Sequence, residues 1–492
     1  MHNPLNLADP SLLASRMPIG GAWVDAASGA TLAVDDPATG ATIGTVPSGD
    51  GRDARAAIDA AAAALPGWRA RTAGDRAAIL MRWHALILEH VADLGRIMTA
   101  EQGKPLAEAE GEIRYAASFV QWFAEEGRRV ATGGVPAPTP DRRILILKEP
   151  VGVCAAITPW NFPAAMITRK CAPAFAVGCT MVVKPSELTP YTALALAVLA
   201  ERAGLPAGVL NIVTGLPAEI GAEFTGNPVV RKLSFTGSTR VGALLMRQSA
   251  DGIKRLSLEL GGNAPFLVFD DADLDLAVAG AMASKYRNAG QTCVCANRIL
   301  VQSGIHDRFV ERMAAEVRAL SVGDGRASGT GIGPLINAAA TAKVAAHRAD
   351  ALAKGATIAA TAPLPDDADP DRFAQPVLLT GCTPDMLVAN EETFGPVAPI
   401  FRFETEAEAI ALANATPFGL ACYFYTDDLH RAWRVAEALE YGMVGLNTGS
   451  IAMEMAPFGG IKQSGLGREG GQAGIEEYLE TKAFHWGGLK PG

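Results

Sequence analysis

From Val151 onward, short apolar segments alternate with helical ones, and this rhythm constrains the fold more than any other feature of the chain. Val151 to Ile157, Cys179 to Lys184, Val209 to Val213, Lys232 to Phe235 and Lys254 to Leu258 read as strands, while Tyr191 to Ala203 reads as an apolar-rich helix ended by Gly204. Alternation of this kind predicts a parallel sheet covered by helices on both faces. Ligands of such sheets, dinucleotides above all, bind at the carboxyl edge. Before Val151, Ala54 to Ala64, Arg76 to Ala100 and Glu108 to Arg128 carry helical spacing, the first ending at Pro66-Gly67 and the last at Gly133-Gly134. A Pro-rich stretch then leads into one strand, Arg143 to Lys148, as a connector or arm. The second half repeats the α/β rhythm, with helices over Asp273 to Asn288 and His306 to Leu320, strands over Arg298 to Gln302 and Val397 to Phe403, and an exposed loop over Pro363 to Arg372. A chain of 492 residues, 49% hydrophobic, exceeds one compact unit and predicts two or three domains.

Charge narrows the partners. With 43 basic against 52 acidic residues, a net charge of -9 and no basic run, the chain has no electrostatic footprint for nucleic acid. Met1 to Gly20 lacks the basic start and apolar stretch of a secretory signal, and no apolar run approaches the ~18 residues a membrane helix needs. The seven cysteines, at 154, 171, 179, 293, 295, 382 and 422, are odd in number and scattered, which fits a reducing, cytoplasmic compartment rather than a disulfide framework.

Four segments carry chemistry. Phe235 to Gly242 follows a strand and opens a helix, so backbone N–H groups and a positive dipole end stand where a phosphate would sit. Its glycines are five positions apart, unlike G-x-G-x-x-G, and the same residues also suit a Ser-capped helix with no ligand. In Asn288 to Cys293 a thiol follows a Gly-containing segment at the end of a predicted helix, which makes Cys293 a candidate nucleophile where the other cysteines outside this segment read as core fillers. Glu259 is a lone acid at a strand end before Gly261-Gly262; held among apolar residues its pKa would rise and suit it to take a proton from a thiol or a water. Asn161, in Pro159 to Pro163, offers an amide donor for an oxyanion, or is a turn residue.

Taken together, these residues resemble the aldehyde dehydrogenase superfamily over nearly the whole chain. The motifs stand in that family's order: Pro159 to Pro163, Lys184-Pro185-Ser186-Glu187, Gly204-Leu205-Pro206, Phe235 to Gly242, Glu259 to Asn263, Gly290 to Cys293, Glu391 to Pro396 and Pro457 to Gly460. The resemblance implies an α/β fold with a Rossmann-type dinucleotide-binding domain (1–130 and 151–262), an α/β catalytic domain (263–462) and a small β arm with tail (131–150 and 463–492) that builds a homo-oligomer, dimer or tetramer. It implies Cys293 as nucleophile, Glu259 as general base, and Asn161 with the Cys293 N–H as oxyanion hole. Cofactor contacts fall to Ile157, Trp160, Lys184, Glu187, Gly237, Ser238, Glu392 and Phe394. A ribose-binding carboxylate at Glu187 repels a 2′-phosphate and favours NAD, while Lys184 beside it leaves NADP open.

Within the family, Met166 to Lys170 and Cys293 to Arg298 are similar to succinate-semialdehyde dehydrogenases, which implies that Arg169 and Arg287 grip a distal carboxylate; either could instead tie helices together. The subgroup's substrate-binding serine is replaced by Ala452, with Ser450 two positions away, so a longer semialdehyde or an uncharged aldehyde stays open. Cys295 is implied as a redox partner of Cys293, against the plain alternative of a small side chain. No histidine pattern suits a metal, and none is expected. A cofactor-independent thiol esterase, a catalytically silent binding protein and a CoA-acylating variant are the rival readings, of which Glu259 disfavours the last.

Overall fold

The structure, a computed structural model, describes residues 3–490. Near the N-terminus Met17–Ile19 pairs with Ala22–Val24 and Thr31–Asp35 with Thr42–Pro47 as antiparallel ribbons, followed by helices Gly51–Arg69, Ala73–Glu89, Val91–Gln102 and Leu106–Glu126. The first of these starts at a capping box between Asp50 and Asp53 and buries Ala54, Ala57, Ile58 and Ala61 at helical spacing. It runs past Pro66, where the sequence predicted its end, because Trp68 is buried two residues on and Ala70 N–H bonds the Pro66 carbonyl at 3.1 Å. A proline removes one N–H bond but leaves its carbonyl to accept. The single helix expected over Arg76 to Ala100 is two, broken at His90 (φ -104°, ψ 21°).

The expected strands form one six-stranded sheet in the order Gly465–Leu466, Arg255–Glu259, Val230–Thr236, Val153–Ile157, Thr180–Lys184, Leu210–Ile212. Its last five strands are parallel, with every residue of Val153–Ile157 and Thr180–Lys184 buried, as the near-continuous apolar runs required. A second sheet of seven strands holds the expected strands, as Ala296–Gln302 and Val397–Phe403, beside five that the sequence reading did not resolve, among them Ala264–Val268 and Ala421–Tyr425. The arm strand, Arg143–Pro150, pairs antiparallel with Gly133–Val135 and, from Arg143↔Trp486 to Pro150↔Leu479, with the C-terminal strand.

The tail does more than join the arm. Gly465–Leu466 closes the edge of the first sheet antiparallel to Leu258–Glu259, carrying residues beyond 462 to the strand that ends in Glu259. Gly465 has φ +132°, and a Cβ there would stand 1.9 Å from the Leu258 carbonyl oxygen, so only glycine allows this approach. Gly465→Ala is expected to cost about 1–3 kcal/mol, read as an earlier thermal unfolding midpoint with weakened activity; an unchanged midpoint contradicts the tight edge pairing.

Candidate active site

Parallel strands in register bring their ends together. Ile157 sits beside Lys184 and Phe235, and Thr236 beside Glu259, so four strands present these residues along one carboxyl edge. From Thr236 the chain turns through Gly237, whose N–H bonds the Glu259 carbonyl at 3.0 Å, into helix Thr239–Ser249 capped by the Ser238 hydroxyl, which accepts from Val241 N–H. That leaves a helix N-terminus aimed along the edge. Lys184 is buried and its Nζ meets Glu187 Oε2 at 2.7 Å.

The thiol is presented by an uncommon backbone path. Helix Leu274–Tyr286 ends two residues before the predicted Asn288, and the next turn passes through Asn288 (φ 51°), Ala289 (φ 55°) and Gly290 (φ 77°), all left-handed. Buried polar groups hold it there. Asn288 N–H donates to Glu108 Oε2 at 2.9 Å, its Oδ1 accepts from Gln102 at 3.1 Å, and its Nδ2 donates to the Asn161 carbonyl at 3.0 Å. Asn161 Nδ2 in turn donates to the Gln291 carbonyl at 3.0 Å, and Gln291 Oε1 accepts from Ile336 N–H. Cys293 therefore lies in a loop, half-buried, tied to the predicted oxyanion amide through Gln291. Gly262 lets the loop close on the Glu259 strand, since a Cβ there would lie 2.6 Å from the Cys293 carbonyl.

Two cavities meet this segment. One of about 390 Å³ is lined by Cys293, Asn161, Trp160, Gly237, Ser238, Glu392 and Phe394. Phe394, at φ +57°, sets its ring against Trp160 edge-on at 5.6 Å, and Glu392 Oε1 accepts from Gly262 N–H at 3.1 Å; burial raises the Glu392 carboxyl to about 7. Ile157, Lys184 and Glu187 stay on the sheet edge, off this cavity's wall. The other cavity, about 620 Å³, is lined by Phe162, Tyr115, Lys104, Arg287 and Ala452. Arg287 is exposed, lies over the Phe162 ring at 4.8 Å, and has no ion-pair partner among the described residues. Arg169, the other expected clamp, is 2% exposed, with Nε 3.4 Å from Glu469 Oε2 and Nη2 on the Tyr115 oxygen at 2.9 Å. Ser450 is exposed and off the wall.

Burial sets the protonation states. Both Glu259 carboxylate oxygens lack a hydrogen-bond partner among the described residues at 2% exposure, and burial, then the Glu469 carboxylate, hold its pKa well above the usual range against Lys170 and Arg169. Burial, then Glu392, push the Cys293 thiol up to about 12, with Arg169 opposing. Cys295 is buried, its sulfur 3.3 Å from Lys285 Nζ. Sequence reading did not find Lys104, Glu112, Tyr115, Lys170 or Glu469. Lys104 Nζ bonds Glu112 at 2.5 Å and the Asn161 carbonyl at 2.8 Å, while Glu112 accepts from Ala164 and Ala165 N–H, so this pair braces the segment that carries Asn161. Lys170 pairs with Glu469 and donates to Thr236 Oγ1 at 2.7 Å. Only Lys170, next to Arg169 in a flagged segment, had any local signal. Among the described residues no group of three metal-ligating side chains comes together.

The loop's dependence on Asn288 is open to a direct check. Asn288→Gly keeps the backbone conformation free but removes the amide bonds, and is expected to lower kcat at least tenfold, worth about 1.4 kcal/mol, together with a lower melting temperature from the buried polar groups left unpaired. Retained kcat contradicts a loop held by that amide.

Comparisons with known proteins agree with this geometry. The sequence matches the Aldehyde dehydrogenase family over residues 23–484. It is 59% identical to a glutarate-semialdehyde dehydrogenase of Pseudomonas putida over 478 residues, 97% of this chain and 99% of that one. It is 58% identical to an NADP(+) succinate-semialdehyde dehydrogenase of Escherichia coli, again over 97% and 99% of the two chains. The crystal structure of a succinate-semialdehyde dehydrogenase from Burkholderia pseudomallei superposes with a TM-score of 0.96 at 60% identity, covering 98% of this chain and 99% of that one. Sequence and fold thus agree, and the chain belongs to the aldehyde dehydrogenase family.

Proposed function

We propose that this aldehyde dehydrogenase oxidises an aldehyde bearing a distal carboxylate, a semialdehyde of the succinate and glutarate kind, through a thioester on Cys293. The observation that carries the substrate class is Arg287, a guanidinium with no ion-pair partner among the described residues on the wall of the cavity that Phe162 lines, next in the chain to Asn161 on the wall of the thiol's cavity. An uncompensated cation in a site is a receptor for an anion. Two relatives named for such substrates point the same way. Ala452 on that wall offers no hydroxyl and leaves room, which favours the five-carbon substrate beside the four-carbon one.

The residues around the thiol suit a dinucleotide. A cavity of about 390 Å³ has the helix N-terminus at Ser238 for phosphate, the Glu392 carboxylate for a ribose, and Trp160 with Phe394 as apolar walls for a ring. Bound there, NAD(P) supplies the two-electron acceptor that takes an aldehyde to the acid level. Ile157, Lys184 and Glu187 extend the site along the sheet edge; the Glu187 carboxylate favours NAD, and the Lys184 ammonium against it reduces the penalty on a 2′-phosphate.

Cys293 Sγ attacks the aldehyde carbon, and the resulting oxyanion is met by Asn161 Nδ2 and the Cys293 N–H. Glu259, raised by burial, takes protons at neutral pH and activates the water that hydrolyses the thioester. This base is also why acyl transfer to CoA is not favoured. Around this chemistry we propose a dinucleotide-binding domain of residues 1–130 and 151–262 completed by strand Gly465–Leu466, a catalytic domain of 263–462, and a homo-oligomer built by the arm and tail in the cytoplasm. Among the described residues no helix is long and apolar enough to cross a membrane.

The test is the initial rate of NADH and NADPH formation with glutarate and succinate semialdehydes against pentanal and butanal. At least tenfold preference for the acids in kcat/KM, abolished in Arg287→Gln, is expected; parity with the uncharged aldehydes contradicts the anion reading. Because Glu259 works as a carboxylate and its pKa lies above the ordinary value, activity must fall as pH drops through that raised pKa and climb toward alkaline pH. The protonated Cys293 thiol gives the same sign. Glu259→Gln is expected to flatten this rise and to lower kcat by about two orders of magnitude or more; a pH profile identical to wild type removes Glu259 from the base role.

A further inference from the structure

Helix Ala338–Ala353 is tied both to the thiol loop and to the segment Glu391–Gly395. Just before it, Ile336 N–H donates to Gln291 Oε1 at 3.0 Å, two residues ahead of Cys293. From one face, at the i, i+4, i+7 spacing of a helix, Lys343 Nζ donates to the Glu392 carbonyl, His347 meets Thr393, and Asp350 Oδ2 accepts from Leu387 N–H at 2.7 Å. His347 is 2% exposed, with Nε2 3.4 Å from Glu391 Oε2 and Nδ1 3.1 Å from Thr393 Oγ1. With Nε2–H turned to the carboxylate, Nδ1 is left to accept from the Thr393 O–H. Burial, then Lys343, hold the imidazole below its ordinary pKa against the Glu391 carboxylate, so it is neutral at neutral pH, the state this pairing needs. What the pairing secures is the next residue. Phe394 has φ +57°, a left-handed conformation that a non-glycine residue rarely adopts. Thr393 before it is tied to His347, and Gly395 after it lies against Val344, where a Cβ would stand 2.2 Å from Val344 Cγ2. Both anchors belong to the same helix. Between them stand the Phe394 ring, against Trp160, and the Glu392 carboxylate, on Gly262 N–H.

We infer that His347 is a positioning residue for the nicotinamide half of the cofactor, acting through Thr393 on Glu392 and Phe394. This rests on the cofactor placement proposed above. The imidazole sits behind Thr393, which lines the thiol's cavity, so it sets the wall without meeting the ligand. Losing the anchor frees the segment to leave its left-handed turn. Only the fraction of molecules that keep the turn then receives the nicotinamide, and the apparent affinity falls by that fraction. The adenosine half belongs to other elements, Lys184 and Glu187 at the end of strand Thr180–Lys184, and is not weakened with it. Because the same helix is bonded to Gln291, the segment and the thiol loop share one frame.

The experiment measures calorimetric Kd values for NAD and for ADP, which lacks the nicotinamide and its ribose, in the full-length enzyme and in His347→Phe, His347→Asn and Thr393→Val. His347→Phe and Thr393→Val are each expected to raise Kd for NAD by about threefold to tenfold and to leave Kd for ADP at the wild-type value, which also shows an intact fold. Their combination is no weaker than either alone, because both remove the same bond. His347→Asn, whose Oδ1 takes the place of Nδ1, recovers most of the affinity. Equal weakening of NAD and ADP, an unchanged Kd for NAD in both single variants, or additive losses in the double variant overturns the inference. Glu392→Gln separates the two claims: if it weakens NAD but not ADP while His347→Phe changes neither, only the role of His347 fails, and if it too leaves NAD binding unchanged, the cofactor placement fails with it.

Discussion

The left-handed turn at Asn288 and Ala289 is the constraint on which the site depends. Two non-glycine residues in that conformation cost of order 1–3 kcal/mol each, and the chain holds them there with bonds drawn from three directions: Gln102 and Glu108 at the helical N-terminal region, Asn161 after the central strand of the first sheet, and Gln291 within the loop itself. Each such buried bond contributes about 0.5–1.5 kcal/mol, and leaving any of these polar groups unpaired would cost more. Cys293 follows directly. Its position relative to the Asn161 amide is thereby set before any ligand binds, which is the preorganisation that covalent catalysis requires.

A second dependence runs through charge. Glu259 ends a strand whose other neighbour is the tail segment Gly465–Leu466, and the same tail brings Arg468 and Glu469 to it. Glu469 takes Lys170 and Arg169, so two cations next to the base are neutralised by a carboxylate that itself raises the base's pKa. A buried ionised pair seldom adds much stability. Its value here is in tuning: with Lys170 and Arg169 unopposed, Glu259 would be held ionised at lower pH and would be a weaker base. Gly459 belongs to the same arrangement, because a Cβ there would come within 2.9 Å of Glu259 Oε1. The catalytic edge is thus completed by residues some two hundred positions downstream of the strand that supplies the base.

This separation explains what the sequence could reveal. The parallel sheet was legible because buried strands are near-continuously apolar, as Val153–Ile157 is throughout and Thr180–Lys184 is over its middle three residues. Cys293, Glu259, Asn161, Gly237 and Ser238 were legible because each sits where an element ends beside glycine or proline, and because their motifs occur together in one family. Helix ends were read less well: Pro66 did not stop its helix, and His90 broke one without any proline or glycine nearby. Tyr115 and Glu112 lie inside an ordinary amphipathic helix, and Glu469 in a short loop, so their roles arise only from tertiary packing. Arg169 was legible from its residue type and motif, whereas its packing against Phe119, Phe458 and Glu469 was not.

The account's central claim is that Cys293 carries the acyl group. Rapid acid quench during turnover of glutarate semialdehyde with NAD, followed by peptide mass spectrometry, tests it most directly. The account predicts an adduct of the acyl mass on the peptide holding Cys293, localised to residue 293 rather than to Cys295, whose buried sulfur faces Lys285. An adduct on another residue, or turnover with no covalent species at any quench time even in Glu259→Gln, where hydrolysis is slowed, would contradict it.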